Sequence, residues 1–176
     1  MIQLSTFLWG MVALFAIIGF LRGWTKEIIA LTGIILALFT LQQFEDALLQ
    51  SLTEGANPAQ QFYLYSGVLL VITYFAYRTP ERFERRTSRS RRIREGLQES
   101  LLGAMIGGFN GYLVFGSLWY YMRILDYPLD PLIPPPFLGT TSATMQNQLP
   151  LDWLLGGNLL TLLLVVLFLF IIIVLI

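Results

Sequence analysis

The sequence predicts an all-α protein, a polytopic bundle of about five membrane-spanning helices forming one domain over residues 1–176. Three observations carry that expectation. Hydrophobic residues make up 56% of the 176 and charged residues only 12%, about half the charged share of a soluble domain. The apolar residues gather into runs near the ~20 residues that cross a bilayer core. The basic residues are gathered as well, with eight of the eleven Lys and Arg lying between Arg78 and Arg94.

The first run, 4–21, is read as a retained helix, because no positive residue precedes it and no small-residue cleavage site follows. It ends in Arg22-Gly23-Trp24-Thr25-Lys26-Glu27, which has the chemistry of a tight helical hairpin. Arg22 suits the negative C-terminal end of one helix, and Gly23 can take a positive-φ C-cap. Thr25 is the expected N-cap of the next helix, with Glu27 in its first turn. The second run, 28–44, carries Ala30, Gly33 and Ala37 along one flank. Beyond it, an amphipathic continuation at the interface is expected up to the break at Gly55-Ala56-Asn57-Pro58.

The third run, 62–77, is short, with Tyr63, Tyr65, Tyr74 and Tyr77 as aromatic flanks at its two ends. An arginine-rich loop, 78–99, follows. The fourth run, 101–123, places Gly103, Gly107 and Gly111 four residues apart, so one helix face is nearly bare of side chains. Asn110 sits within it, and Trp119-Tyr120-Tyr121 closes its far end as an expected interfacial anchor. The segment 126–150 holds six of the eight prolines. Pro134-Pro135-Pro136 favours extended chain, and its apolar residues imply that it packs over the bundle or the interface. The last run, 154–176, is uncharged, with Trp153 at its entrance.

Five crossings put Arg22, Lys26 and the eight arginines of 78–94 on one side, leaving only Arg123 on the other. Basic residues favour the cytoplasm, so the N-terminus is expected outside and the C-terminus inside.

Cysteine and histidine are both absent. That excludes disulfides, zinc fingers, Ser-His-Asp triads and His-ligated haem. The acidic residues Asp126, Asp130 and Asp152 could form a carboxylate pair or a cation site, but acids are ordinary in an outer loop. The glycine repeat lacks the Lys-Ser/Thr of a phosphate-binding loop. No catalytic residue, metal or cofactor is expected.

The glycine face predicts a close helix contact, with this chain's own first or second helix, a second copy, or a foreign subunit. Asn110 is read as an interhelical hydrogen-bonding residue. The expected ionisable residues all lie outside the span interiors. Arg82, Arg85, Arg86, Arg89, Arg91, Arg92 and Arg94 form a candidate patch for anionic lipid or a partner. Nucleic acid is not expected, since no aromatic platform accompanies the charge. The expected partners are therefore membrane lipids and either protein subunits or a second copy.

Two of these stretches resemble the colicin V production (CvpA) family of bacterial inner-membrane proteins. Arg22, Gly23, Trp24, Lys26 and Glu27 are similar to its hairpin of Arg-Gly-aromatic-x-basic-Glu. Glu99, Leu102, Gly103, Gly107 and Gly111 resemble its acidic residue, Leu-Gly pair and four-residue glycine repeat. The resemblance departs at Asn110, where the family commonly has arginine, and covers roughly residues 1–125. It implies a bacterial plasma membrane and a part in toxin export or envelope homeostasis, with no reaction to carry over. The expected function is a non-catalytic membrane protein acting through helix and lipid contacts. The alternatives are an accessory subunit of a larger respiratory or photosynthetic membrane complex, or an oligomeric channel or transporter.

Overall fold

A computed structural model describes residues 3–44, 57–78 and 93–175, and within them every regular element is helical. The expected amphipathic continuation and most of the arginine loop lie outside the described residues.

Helices α1 (Leu4–Arg22) and α2 (Trp24–Gln43) are joined by a single residue. Gly23 has φ 82° and ψ 158°, a region that essentially only glycine occupies. Its amide donates back to the Gly19 carbonyl at 2.9 Å. Because one residue reverses the chain, no room remains for a capping side chain. The expected cap at Thr25 is therefore replaced by Gly23, and α2 begins at Trp24.

Helix α3 (Pro58–Tyr77) starts earlier than the apolar run, because Asn57 and Gln60 form a reciprocal capping box and Pro58 occupies the first turn. Helix α4 (Ile93–Ile124) has 32 residues, ~48 Å at 1.5 Å per residue, and so contains the expected 101–123 span with about two further turns before it. Past Ile124 the chain turns sharply, with Asp126 and Tyr127 both at positive φ. Pro134-Pro135-Pro136 carries no helix or turn, as its composition predicts. Two short helices follow, α5 (Thr141–Met145) and α6 (Pro150–Leu154).

The final apolar run is not continuous. A 3-10 turn at Gly156–Asn158, with Gly157 at φ 64°, separates α6 from α7 (Leu159–Leu175). Among the described residues α1, α2 and the Gly96–Ile124 part of α4 are long and apolar enough to cross a membrane. The bent pair Thr141–Leu154 and Gly156–Phe170, 54° apart, adds a fourth candidate if it counts as one span. Helix α3 has the length, but Gln60 and Gln61 make it more polar.

The core lies among α2, α3 and α4, where Ile34, Ile35, Leu38, Leu41, Leu69 and Leu113 are fully buried. Helix α1 packs mainly against α4, α2 packs against both α3 and α4, the two touch each other little, and α7 lies against α2. Trp119 and Tyr121 are buried, so they are core residues and not the interfacial anchor expected of them. Tyr65 turns inward to stack on Tyr121, with ring centroids 4.9 Å apart, while Tyr63 and Tyr74 face outward. The proline-rich segment is divided in the same way. Leu129 and Ile133 pack on the core, whereas Leu132, Phe137 and Leu138 are exposed.

Candidate functional site

The glycine face of α4 lies against α1, and the two helices run antiparallel. A Cβ at Gly103 would meet the Gly19 carbonyl oxygen, and also the Gly23 carbonyl carbon at 2.9 Å. At Gly107 it would meet the Phe15 carbonyl oxygen, with Gly19 Cα 2.9 Å away. At Gly111 it would meet Phe15 Cβ at 2.8 Å. Three successive turns thus touch backbone to backbone, an approach only side-chain-free positions allow. Of the small residues considered as partners, Gly19 makes this contact and Gly10 does not, since nothing lies within 4 Å of it. Gly33 of α2 instead meets Ala76 of α3.

Beside this seam lies a buried polar joint. Glu27 of α2 is 0% exposed. Arg22 Nη1 donates to its Oε1 at 2.6 Å. Both the Tyr77 hydroxyl and Asn110 Nδ2 donate to its Oε2 at 2.9 Å. Asn110 Nδ2 also donates to the Glu27 backbone carbonyl at 3.1 Å. Arg22 does further work with its second nitrogen, which donates to the Tyr77 carbonyl at 2.9 Å. That bond satisfies a C-terminal carbonyl of α3. The guanidinium carbon lies 4.5 Å from the centre of the Tyr77 ring, in range for a cation–π contact.

One carboxylate therefore gathers the end of α1, the start of α2, the end of α3 and the middle of α4. A buried charge is tolerated only when paired and hydrogen-bonded, and three donors supply that here. The position of Glu27 in the first turn of α2 adds the favourable end of the helix dipole.

This corrects the sequence reading in one respect. Glu27 looks like a hairpin residue at the membrane edge, yet it is an ionisable group buried inside the bundle. Asn110 reaches from α4 to α2, and its partner is this carboxylate. Tyr77, an aromatic flank by its place in the sequence, is a donor to this carboxylate. The available signal was the coincidence of one acid and one arginine at the hairpin with one asparagine in the glycine helix. Trp24 and Lys26 flank the joint and are half-buried.

The opposite end of α4 carries an exposed counterpart. Arg123 donates to both oxygens of Asp152 and to the Gln146 carbonyl, and its guanidinium lies 5.1 Å from the Tyr120 ring centre. The Leu149 amide donates to Asp152 at 3.1 Å. Trp119 Nε1 donates to the Tyr127 hydroxyl, which donates to Gln146 Oε1, both at 3.3 Å. Burial pushes the Tyr127 hydroxyl above its ordinary pKa, against smaller opposite pulls from Trp119 and Arg123, so it stays a proton donor. Ser142 on α5 donates to the Ser5 hydroxyl at 3.0 Å and accepts from the Ser5 amide at 3.1 Å. These bonds tie the segment after α4 onto the bundle.

Asp126, Asp130 and Asp152 do not form a three-acid group, since no cluster of three or more potential metal-ligating residues occurs among the described residues. Arg82, Arg85, Arg86, Arg89, Arg91 and Arg92 lie outside the described residues, and Arg94 is in the first turn of α4.

The sequence model of the family described as Colicin V production protein matches residues 4–134, about three quarters of the chain. Neither a curated protein nor a solved structure matches significantly. The matched region contains the seam and the whole polar joint, and ends before α5, α6 and α7.

Proposed function

We propose, for a chain that belongs to the colicin V production family, a non-catalytic role through helix–helix and lipid contacts in export or envelope homeostasis. The observation carrying this reading is the seam between α1 and α4. Its glycine face is filled by the chain's own helix, so what remains for lipids and partners is the outer wall of apolar side chains. Trp9, Ile17, Leu21 and Met105 on that wall are exposed, as expected of residues facing acyl chains rather than water.

In this reading the hairpin end, with Arg22 and Lys26, faces the cytoplasm of a bacterial plasma membrane together with the arginine loop. The opposite end, with Arg123 and Asp152, faces outward. Single cysteines at Thr25 and Thr144 should then be labelled from opposite sides of intact cells.

The test of the role is complementation of a strain lacking the protein. If contacts alone carry the function, rescue should track the amount of folded protein across seam and joint variants. A variant folded at wild-type abundance that loses all rescue on replacement of one polar side chain would overturn the reading and point to chemistry.

A second reading, an accessory subunit of a larger complex, is favoured by the exposed Leu132, Phe137 and Leu138 of the proline-rich segment. Native mass spectrometry after mild-detergent extraction separates the two. Fixed stoichiometry with other subunits supports the accessory role, and a chain carrying only lipid removes it.

A further inference from the structure

Among the described residues, four buried polar atoms have no hydrogen-bond partner: Asn110 Oδ1, Thr73 Oγ1, Ser66 Oγ and Ser117 Oγ. All four side chains belong to residues at least nine-tenths buried. A buried polar group left unpaired costs about 1–3 kcal/mol, so four together need a physical account.

Their positions give one. On α4, Asn110 and Ser117 are seven residues apart, two helical turns, and so share one stripe. Tyr121 continues that stripe. On α3, Tyr77, Thr73 and Ser66 fall likewise along one stripe. The two helices run antiparallel, since the Glu27 carboxylate joins Tyr77 to Asn110 at one end and Tyr65 stacks on Tyr121 at the other. The unpaired oxygens therefore lie between these two tie points, with Asn110 Oδ1 turned away from the carboxylate its amide nitrogen serves. At the far tie point is a cavity of about 50 Å³ lined by Gln42, Tyr65, Tyr120 and Tyr121 among others. That is room for one or two waters, each of which takes ~30 Å³ in the liquid.

We propose that the α3–α4 interface holds a file of ordered water running from Asn110, past Thr73 and Ser117, to Ser66 and the cavity beside the stacked Tyr65 and Tyr121 rings. From Asn110 to Ser117 is ~10 Å along the helix axis. At the ~2.8 Å spacing of O–H···O bonds that distance takes about three waters. Each would have hydroxyl or amide oxygens for partners, the setting in which buried water is retained. The track begins at the buried ionic joint, so a polar path extends from Glu27 through much of the bundle beside the dry seam of α1 and α4.

Radiolytic hydroxyl labelling of the full chain in lipid nanodiscs tests this, because radicals formed on bound water mark side chains that bulk water does not reach. Val114 and Tyr121, beside the track, should be labelled roughly tenfold faster than Ile34 in the dry α2 core, since only the former have water as neighbours. The combined variant Ser66→Ala, Thr73→Val, Ser117→Ala should bring Val114 down to the Ile34 rate. Thr73→Ser, which keeps its hydroxyl, should leave it unchanged. If the combined variant does not fold, Thr73→Val alone should lower the Val114 rate about twofold by removing one water partner. A wild-type Val114 as protected as Ile34 overturns the proposal. So does labelling that persists in the folded combined variant or in Thr73→Val.

Discussion

Arg22–Glu27 and Arg123–Asp152 close opposite ends of the bundle with the same pair of functional groups in different surroundings. The carboxylate side chain is 0% exposed in the first and 25% exposed in the second, while the two arginines are similar at 20% and 23%. At the exposed end, water can replace a lost partner. At the buried end nothing can, so the Glu27 carboxylate obliges Arg22, Tyr77 and Asn110 to stay in place. The lesson is that an ion pair's consequence depends on what remains when half of it is removed, more than on its geometry.

The largest expected effect follows from that asymmetry. Glu27→Leu strands the Arg22 guanidinium and the Tyr77 and Asn110 donors, and should cost about 3–5 kcal/mol, seen as loss of monodisperse protein in detergent. Next comes Gly107→Leu, whose side chain has no space against Phe15 and Gly19. It should cost about 1–3 kcal/mol by overpacking, whereas Gly10→Leu should be neutral in the same thermal-denaturation assay. Asn110→Leu leaves the Arg22 and Tyr77 bonds intact and should cost about 1–2 kcal/mol. Asp152→Asn is the smallest, about 0.2–1 kcal/mol, and the difference from wild type should shrink further with added salt. If Asp152→Asn proves as damaging as Glu27→Leu, burial is not what distinguishes the two ends and the comparison breaks.

The helices were legible because their signals are local. The length of the apolar runs, the glycine at the hairpin and the capping residues Asn57 and Pro58 each act within a few residues. The glycine repeat announced a close contact, but the choice of Gly19 over Gly10 depends on register between helices more than eighty residues apart in sequence. The joint was hidden for the same reason. Asn110 and Glu27 are separated by 83 residues, and a lone asparagine in a span can pair with any helix that reaches it. Glu27 was misplaced because its hairpin reading is also correct. It does sit in the first turn of α2, and only the packing of α3 and α4 over that turn removes it from water. The break at Gly156-Gly157-Asn158 was visible as residue types, while the 54° bend they permit depends on how α6 is held by its neighbours.

The single-residue link at Gly23 has a consequence for how the protein is made. A connection with no slack delivers α1 and α2 to the membrane as one hairpin, with Arg22 and Glu27 already side by side. Asn110, which supplies two of the bonds to Glu27, is synthesised 83 residues later. The hairpin carboxylate has only Arg22 until Tyr77 is made, and lacks Asn110 for longer still, in a setting hostile to charge. The nascent chain thus depends on its own fourth helix to complete the shelter of that one acid.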